Sequence, residues 1–95
     1  MNLTTLSTLC IPRIEKTFQR DYIINTLLKL KLGTIEGVTE IPLKNEPAYK
    51  RILVKIKWND GPGTEKIKTR LMKQESIQIV YDGKWYWKLL LAKGS

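Results

Sequence analysis

The chain has no histidine and one cysteine, Cys10. These shortages exclude an internal disulfide, the usual zinc sites and every triad or proton shuttle that works through imidazole. A lone thiol suits a reducing, intracellular setting. No apolar run approaches the roughly 18 residues of a spanning helix. The first ten residues, MNLTTLSTLC, have neither the basic region nor the long apolar stretch of an export signal. The expectation is therefore a protein that is neither membrane-embedded nor exported. Carboxylates are also scarce, with 9 Asp and Glu against 17 Lys and Arg, which leaves a formal charge of +8.

Ninety-five residues with 42% hydrophobic content make one small domain. A chain of this length buries roughly 60 to 65% of its unfolded surface, so it folds with little core to spare and a partner can complete its apolar surface. The domain is expected to span residues 1–95, with residues 1–5 and 94–95 flexible. The positive charge is concentrated: residues 1–47 carry 6 basic and 5 acidic side chains, and residues 48–95 carry 11 and 4. An anion-binding surface is expected in the second half.

Leu6 to Ile11 alternates as a strand that Pro12 is expected to end, after which Thr17 caps a helix. From Phe18 to Leu32, Ile23, Ile24, Leu27, Leu28 and Leu30 recur at spacings of three and four, and Gly33 follows as a stop. Ile35 to Leu43 reads as a strand bulged at Gly37. Tyr49 to Trp58, YKRILVKIKW, alternates almost without fault. It sets Ile52, Val54, Ile56 and Trp58 on one face and Arg51, Leu53, Lys55 and Lys57 on the other. NDGPG is a loop, and a basic helix is expected from Thr64 to Gln74, with Ile67, Leu71 and Met72 at helical spacing. Ile77 to Tyr81 and Trp85 to Leu91 flank Asp82-Gly83, a dipeptide favoured in tight hairpins.

Two strand-helix-strand units in so short a chain predict an α+β, ferredoxin-like sandwich: a four-stranded antiparallel sheet with two helices on one face and a C-terminal hairpin. The other face is then open. Leu9, Ile11, Ile52, Val54 and Ile56 belong under the helices, which turns Thr8, Cys10, Arg51, Leu53, Lys55 and Lys57 outward. Burying Trp85, Trp87, Leu89 and Leu91 covers more apolar area than the alternative, so Tyr86 and Lys88 join the open face.

CIPRI, LGTIEGV, KRILVKIKW and IQIVYDGKWYWK together resemble the RNA recognition motif fold, and more specifically the small RRM-like proteins of giant double-stranded DNA viruses. The resemblance spans residues 9–88. It implies a nucleic-acid-binding module inside an infected cell, in cytoplasm or nucleus, or in the virion. Where RNA-binding members of that family carry aromatics, this chain has Cys10, Arg51 and Leu53. Base stacking is worth roughly 1 to 3 kcal/mol per base, so binding here is expected to lean on charge instead.

The expected binding set is Arg13, Lys50, Arg51, Leu53, Lys55, Lys57, Tyr86 and Lys88, directed at RNA or DNA, single strands in preference. An ordinary solvated sheet face explains the same lysines without a ligand. Trp58, Trp85 and Trp87 read as core, Tyr86 as the one aromatic set against a base, and Cys10 as a small packing residue. No cofactor is expected. Acylphosphatases resemble the chain in fold, size and charge, but their Arg sits in a glycine-bounded phosphate loop, and IPRIEKTF holds Arg13 without a glycine, so no catalysis is expected. The alternative is a protein-interaction or homodimerisation module, with Leu28, Leu53 and Leu90 as contact residues.

Overall fold

The computed structural model describes residues 6–59 and 61–92. The segments expected to be flexible, 1–5 and 94–95, lie outside them. The chain forms β1 (Leu6–Glu15), α1 (Arg20–Leu28), β2 (Gly33–Pro42), β3 (Tyr49–Trp58), α2 (Pro62–Met72), β4 (Ile77–Asp82) and β5 (Trp85–Leu91). The fold is α+β, with two helices and one five-stranded antiparallel sheet in the order β2-β3-β1-β5-β4. A four-stranded sheet with a C-terminal hairpin was expected. The sheet has five strands, because β5 takes the free edge of β1 through Leu9↔Leu91 and Cys10↔Leu90 and brings β4 with it as a further strand.

Alternation in β3 sorts the sheet into two faces. Ile52, Val54, Ile56 and Trp58 are buried with Leu9, Ile11 and Ile14 of β1, Ile77 and Ile79 of β4, and Trp87 and Leu89 of β5. Ile23 and Leu27 of α1 and Leu71 of α2 complete the same cluster, so both helices cover one sheet face. Burying a large aliphatic side chain contributes about 1.5 to 3 kcal/mol, and this cluster is the main source of stability.

Three local expectations are corrected. Pro12 does not end β1: the strand passes it with a register shift between Ile11 and Ile14, a bulge that tolerates the missing N–H and returns Ile14 to the core. Helix α1 is shorter than the Phe18–Leu32 pattern. Gln19 precedes it and Thr17 does not cap it; at its far end Leu30 N–H and Lys31 N–H donate to the Leu27 and Leu28 carbonyls, and Lys31 turns the chain at φ 54°. Gly33 is therefore no helix stop but the first residue of β2. A Cβ built there would collide with the Lys57 carbonyl of β3, so glycine permits the close approach of two backbones. The bulge at Gly37 is present, between Ile35 and Gly37.

Candidate nucleic-acid interface

On the face without helices, β3 presents Tyr49, Arg51, Leu53, Lys55 and Lys57 in alternation. Successive same-face residues on a strand lie roughly 6.8 Å apart. The register sets Lys55 opposite Thr8 and Gly37, Lys57 opposite Leu6 and Thr34, and Leu53 opposite Cys10 and Thr39. These flanking positions carry no charge. Arg51, Lys55 and Lys57 are exposed, as is Lys88 on β5 opposite Gln78 of β4. Among the described residues none of the four has a carboxylate within 4.0 Å, so their charge faces solvent and is available to an anion.

Arg13 also reaches this side but is engaged. Its guanidinium lies 3.8 Å from the centre of the Tyr49 ring, and its Nε is 2.8 Å from a Glu46 carboxylate oxygen. Lys50 does not belong to the surface at all. It shares the parity of Ile52 and Val54, is only 6% exposed, and its Nζ donates to the Phe18 carbonyl at 2.6 Å and to Glu40 Oε1 at 2.5 Å. Its placement among the phosphate contacts is corrected: the ammonium is spent on a loop carbonyl and a β2 carboxylate. The hydrogen bond from Lys50, with the charges of Lys50 and Arg20, holds the Glu40 carboxyl below its ordinary value against a smaller opposing effect of burial.

Cys10 lies half-buried between Leu53 and Leu90. Burial pushes its thiol pKa up, and the Arg51 charge only partly offsets this. The group is a protonated packing residue, not an activated nucleophile. Of the three positions where stacking aromatics were expected to be missing, Cys10 and Leu53 join Leu90 in a low row across the sheet, Leu53–Cys10–Leu90, and the third, Arg51, is one of the cations beside it.

The aromatic side chains gather elsewhere. Trp58 is buried and its Nε1–H donates to Ser7 Oγ at 2.8 Å. Trp87 is buried, stacked on Tyr81 and set edge-on to Phe18 and Tyr22, which locks the hairpin to the start of α1. Trp85, expected in the core, is 58% exposed, and Tyr86 is 43% exposed as expected. The reason lies in the register shift between Val80 and Asp82, which pairs Trp85 with Asp82 at the hairpin end, past the reach of either helix.

Beyond Cys10↔Leu90 the ladder between β1 and β5 stops. The two strands part at the Pro12 bulge and leave a half-open cleft of about 570 Å³, whose walls include Arg13, Glu15, Tyr49, Lys84, Trp85 and Tyr86. Sequence reasoning missed this cleft. Its signal was the segment YDGKWYW, four aromatics in seven residues around a turn, more than a small core absorbs. No family model, curated protein or solved structure matches the chain.

Proposed function

We propose that the protein is a non-catalytic nucleic-acid-binding module that holds the phosphate backbone of a single strand on its open sheet face. The observation that carries this reading is the row Arg51, Lys55 and Lys57 on a central strand, exposed and, among the described residues, without a carboxylate within 4.0 Å, with uncharged partners on both sides of Lys55 and Lys57. Lys88 adds a fourth cation across the face. Cationic side chains neutralise phosphates and release condensed counterions, a gain that depends on salt and little on sequence. Without aromatics at the centre of the face, that term dominates. The strand order, with both helices behind the sheet, is compatible with a ferredoxin-like fold; the RRM-like and giant-virus kinship rests on the sequence resemblance alone.

The test is a gel-shift titration with single-stranded RNA, duplex RNA and single-stranded DNA over a range of salt. Binding that weakens steeply with salt and prefers single strands supports the reading; absence of binding at low salt overturns it. The apolar row Leu53–Cys10–Leu90 favours a second reading, self-association through the same face. The like charges of Arg51, Lys55 and Lys57 would oppose each other across such a contact, and a monomer by light scattering at high protein concentration removes it.

A further inference from the structure

We infer that the cleft between β1 and the β4–β5 hairpin is a nucleotide pocket that seats one unstacked base of the bound strand, with its phosphate on the cationic rim. The inference rests on the proposed function for the strand that delivers the base, but the cleft carries its own argument. Its volume, about 570 Å³, falls within the roughly 300 to 1,000 Å³ of small-molecule sites. Trp85 and Tyr86 leave their rings open to solvent, although both are large enough that a small domain gains by covering them. Every nucleobase has a π-face suited to such rings.

The cations are arranged for the phosphate and not for the base. Lys84 lies beside the Trp85 ring, 5.7 Å from its centre, and Lys88 and Arg13 stand on the same rim. Arg13 is already engaged by Glu46 and Tyr49, so Lys84 and Lys88, which have no carboxylate within 4.0 Å among the described residues, are the cations this rim offers a phosphate. Trp87 supplies the second, independent observation. It forms part of the cleft wall, and its Nε1–H is buried with no acceptor among the described residues. Buried donors are almost always satisfied, so this N–H is a donor that a base carbonyl or ring nitrogen in the cleft satisfies once the Trp87 ring turns toward it. Tyr49 links the cleft to the Arg51–Lys57 row, since it stands on the same face of the same strand.

The three tryptophans make the test direct. Titration of the ¹⁵N-labelled full chain with adenosine 5′-monophosphate should shift the indole N–H signals of Trp85 and Trp87 and leave Trp58, already bonded to Ser7, in place. Adenosine alone and inorganic phosphate should each bind more weakly than the nucleotide. Trp85→Leu, an exposed position, should weaken nucleotide binding by roughly 5- to 100-fold. Equal response to inorganic phosphate, an unmoved pair of indoles, or full affinity in Trp85→Leu each overturns the pocket. If the nucleotide binds and oligonucleotides do not, the pocket stands and the sheet-face reading falls. If oligonucleotides bind while the Trp85 and Trp87 signals stay still, the sheet-face reading stands and the pocket falls.

Discussion

Replacing Lys50 by methionine removes a buried ammonium while keeping most of the side-chain volume. Two hydrogen bonds disappear, to the Phe18 carbonyl at 2.6 Å and to Glu40 at 2.5 Å. A hydrogen bond to a charged group contributes about 1.5 to 3 kcal/mol, and breaking a fully buried ion pair costs about 3 to 5 kcal/mol. Glu40 retains access to water and keeps Arg20 at 3.6 Å, so the pair is worth less than that upper figure. We expect Lys50→Met to destabilise by about 2 to 4 kcal/mol at neutral pH, read by urea unfolding with tryptophan emission. Glu40→Gln should cost less, because the ammonium still holds Phe18. The pH dependence has a definite sign. The Glu40 pKa is lowered by folding, so its contribution is present above the unfolded-state value and is lost as pH falls through the lower folded value. In Lys50→Met that acid-side loss should shrink. A variant within about 0.5 kcal/mol of the parent, the range of ordinary surface substitutions, would refute the reasoning.

Four cations without a carboxylate partner among the described residues, Arg51, Lys55, Lys57 and Lys88, set the salt dependence: for single strands log K should fall against log salt with a slope of about 3, from roughly 0.7 per phosphate contact. Lys55→Gln with Lys57→Gln should flatten it by about 1.4, and an unchanged slope would move the surface to Lys66, Arg70 and Lys73 of α2. Gly33→Ala should cost about 3 kcal/mol or more in thermal or urea unfolding, since the added Cβ meets β3 backbone and not a flexible side chain. Cys10 should react with a disulfide reagent more slowly than a free thiol at neutral pH, its raised pKa leaving less thiolate; a rate above the free thiol would contradict the burial argument.

Much of the architecture was legible because β3 and β5 alternate strongly and Asp82-Gly83 marks their hairpin neighbour; both strands have the bounds that the pattern predicts. Parity also held the answer for Lys50, which shares its face with Ile52 and Val54, yet its charge made it read as surface. A lysine goes inside where acceptors wait, and Glu40 lies on a different strand. Gly33 was legible as special but not in what way, because helix stops and close backbone approaches both call for glycine. Trp85 followed the apolar face of its strand in sequence, and only the register shift at Val80 and the reach of the helices put it outside. The cleft depends on where β1 and β5 part, a property of two strands seventy residues apart that no local pattern encodes.

The short ladder between β1 and β5 has a mechanical consequence. With two rungs joining them, β2-β3-β1 and β5-β4 are two stiff plates on a narrow hinge, and across the gap the ring stack of Phe18, Tyr22, Tyr81 and Trp87 acts as the clasp. Motion that widens the sheet at this seam breaks few backbone bonds and is resisted mainly by side-chain packing, the ring stack together with Ile77, Ile79 and Leu89 in the shared core. Amide hydrogens of the hairpin should accordingly exchange by an opening of lower free energy than those of β3, and the seam is where this molecule yields first.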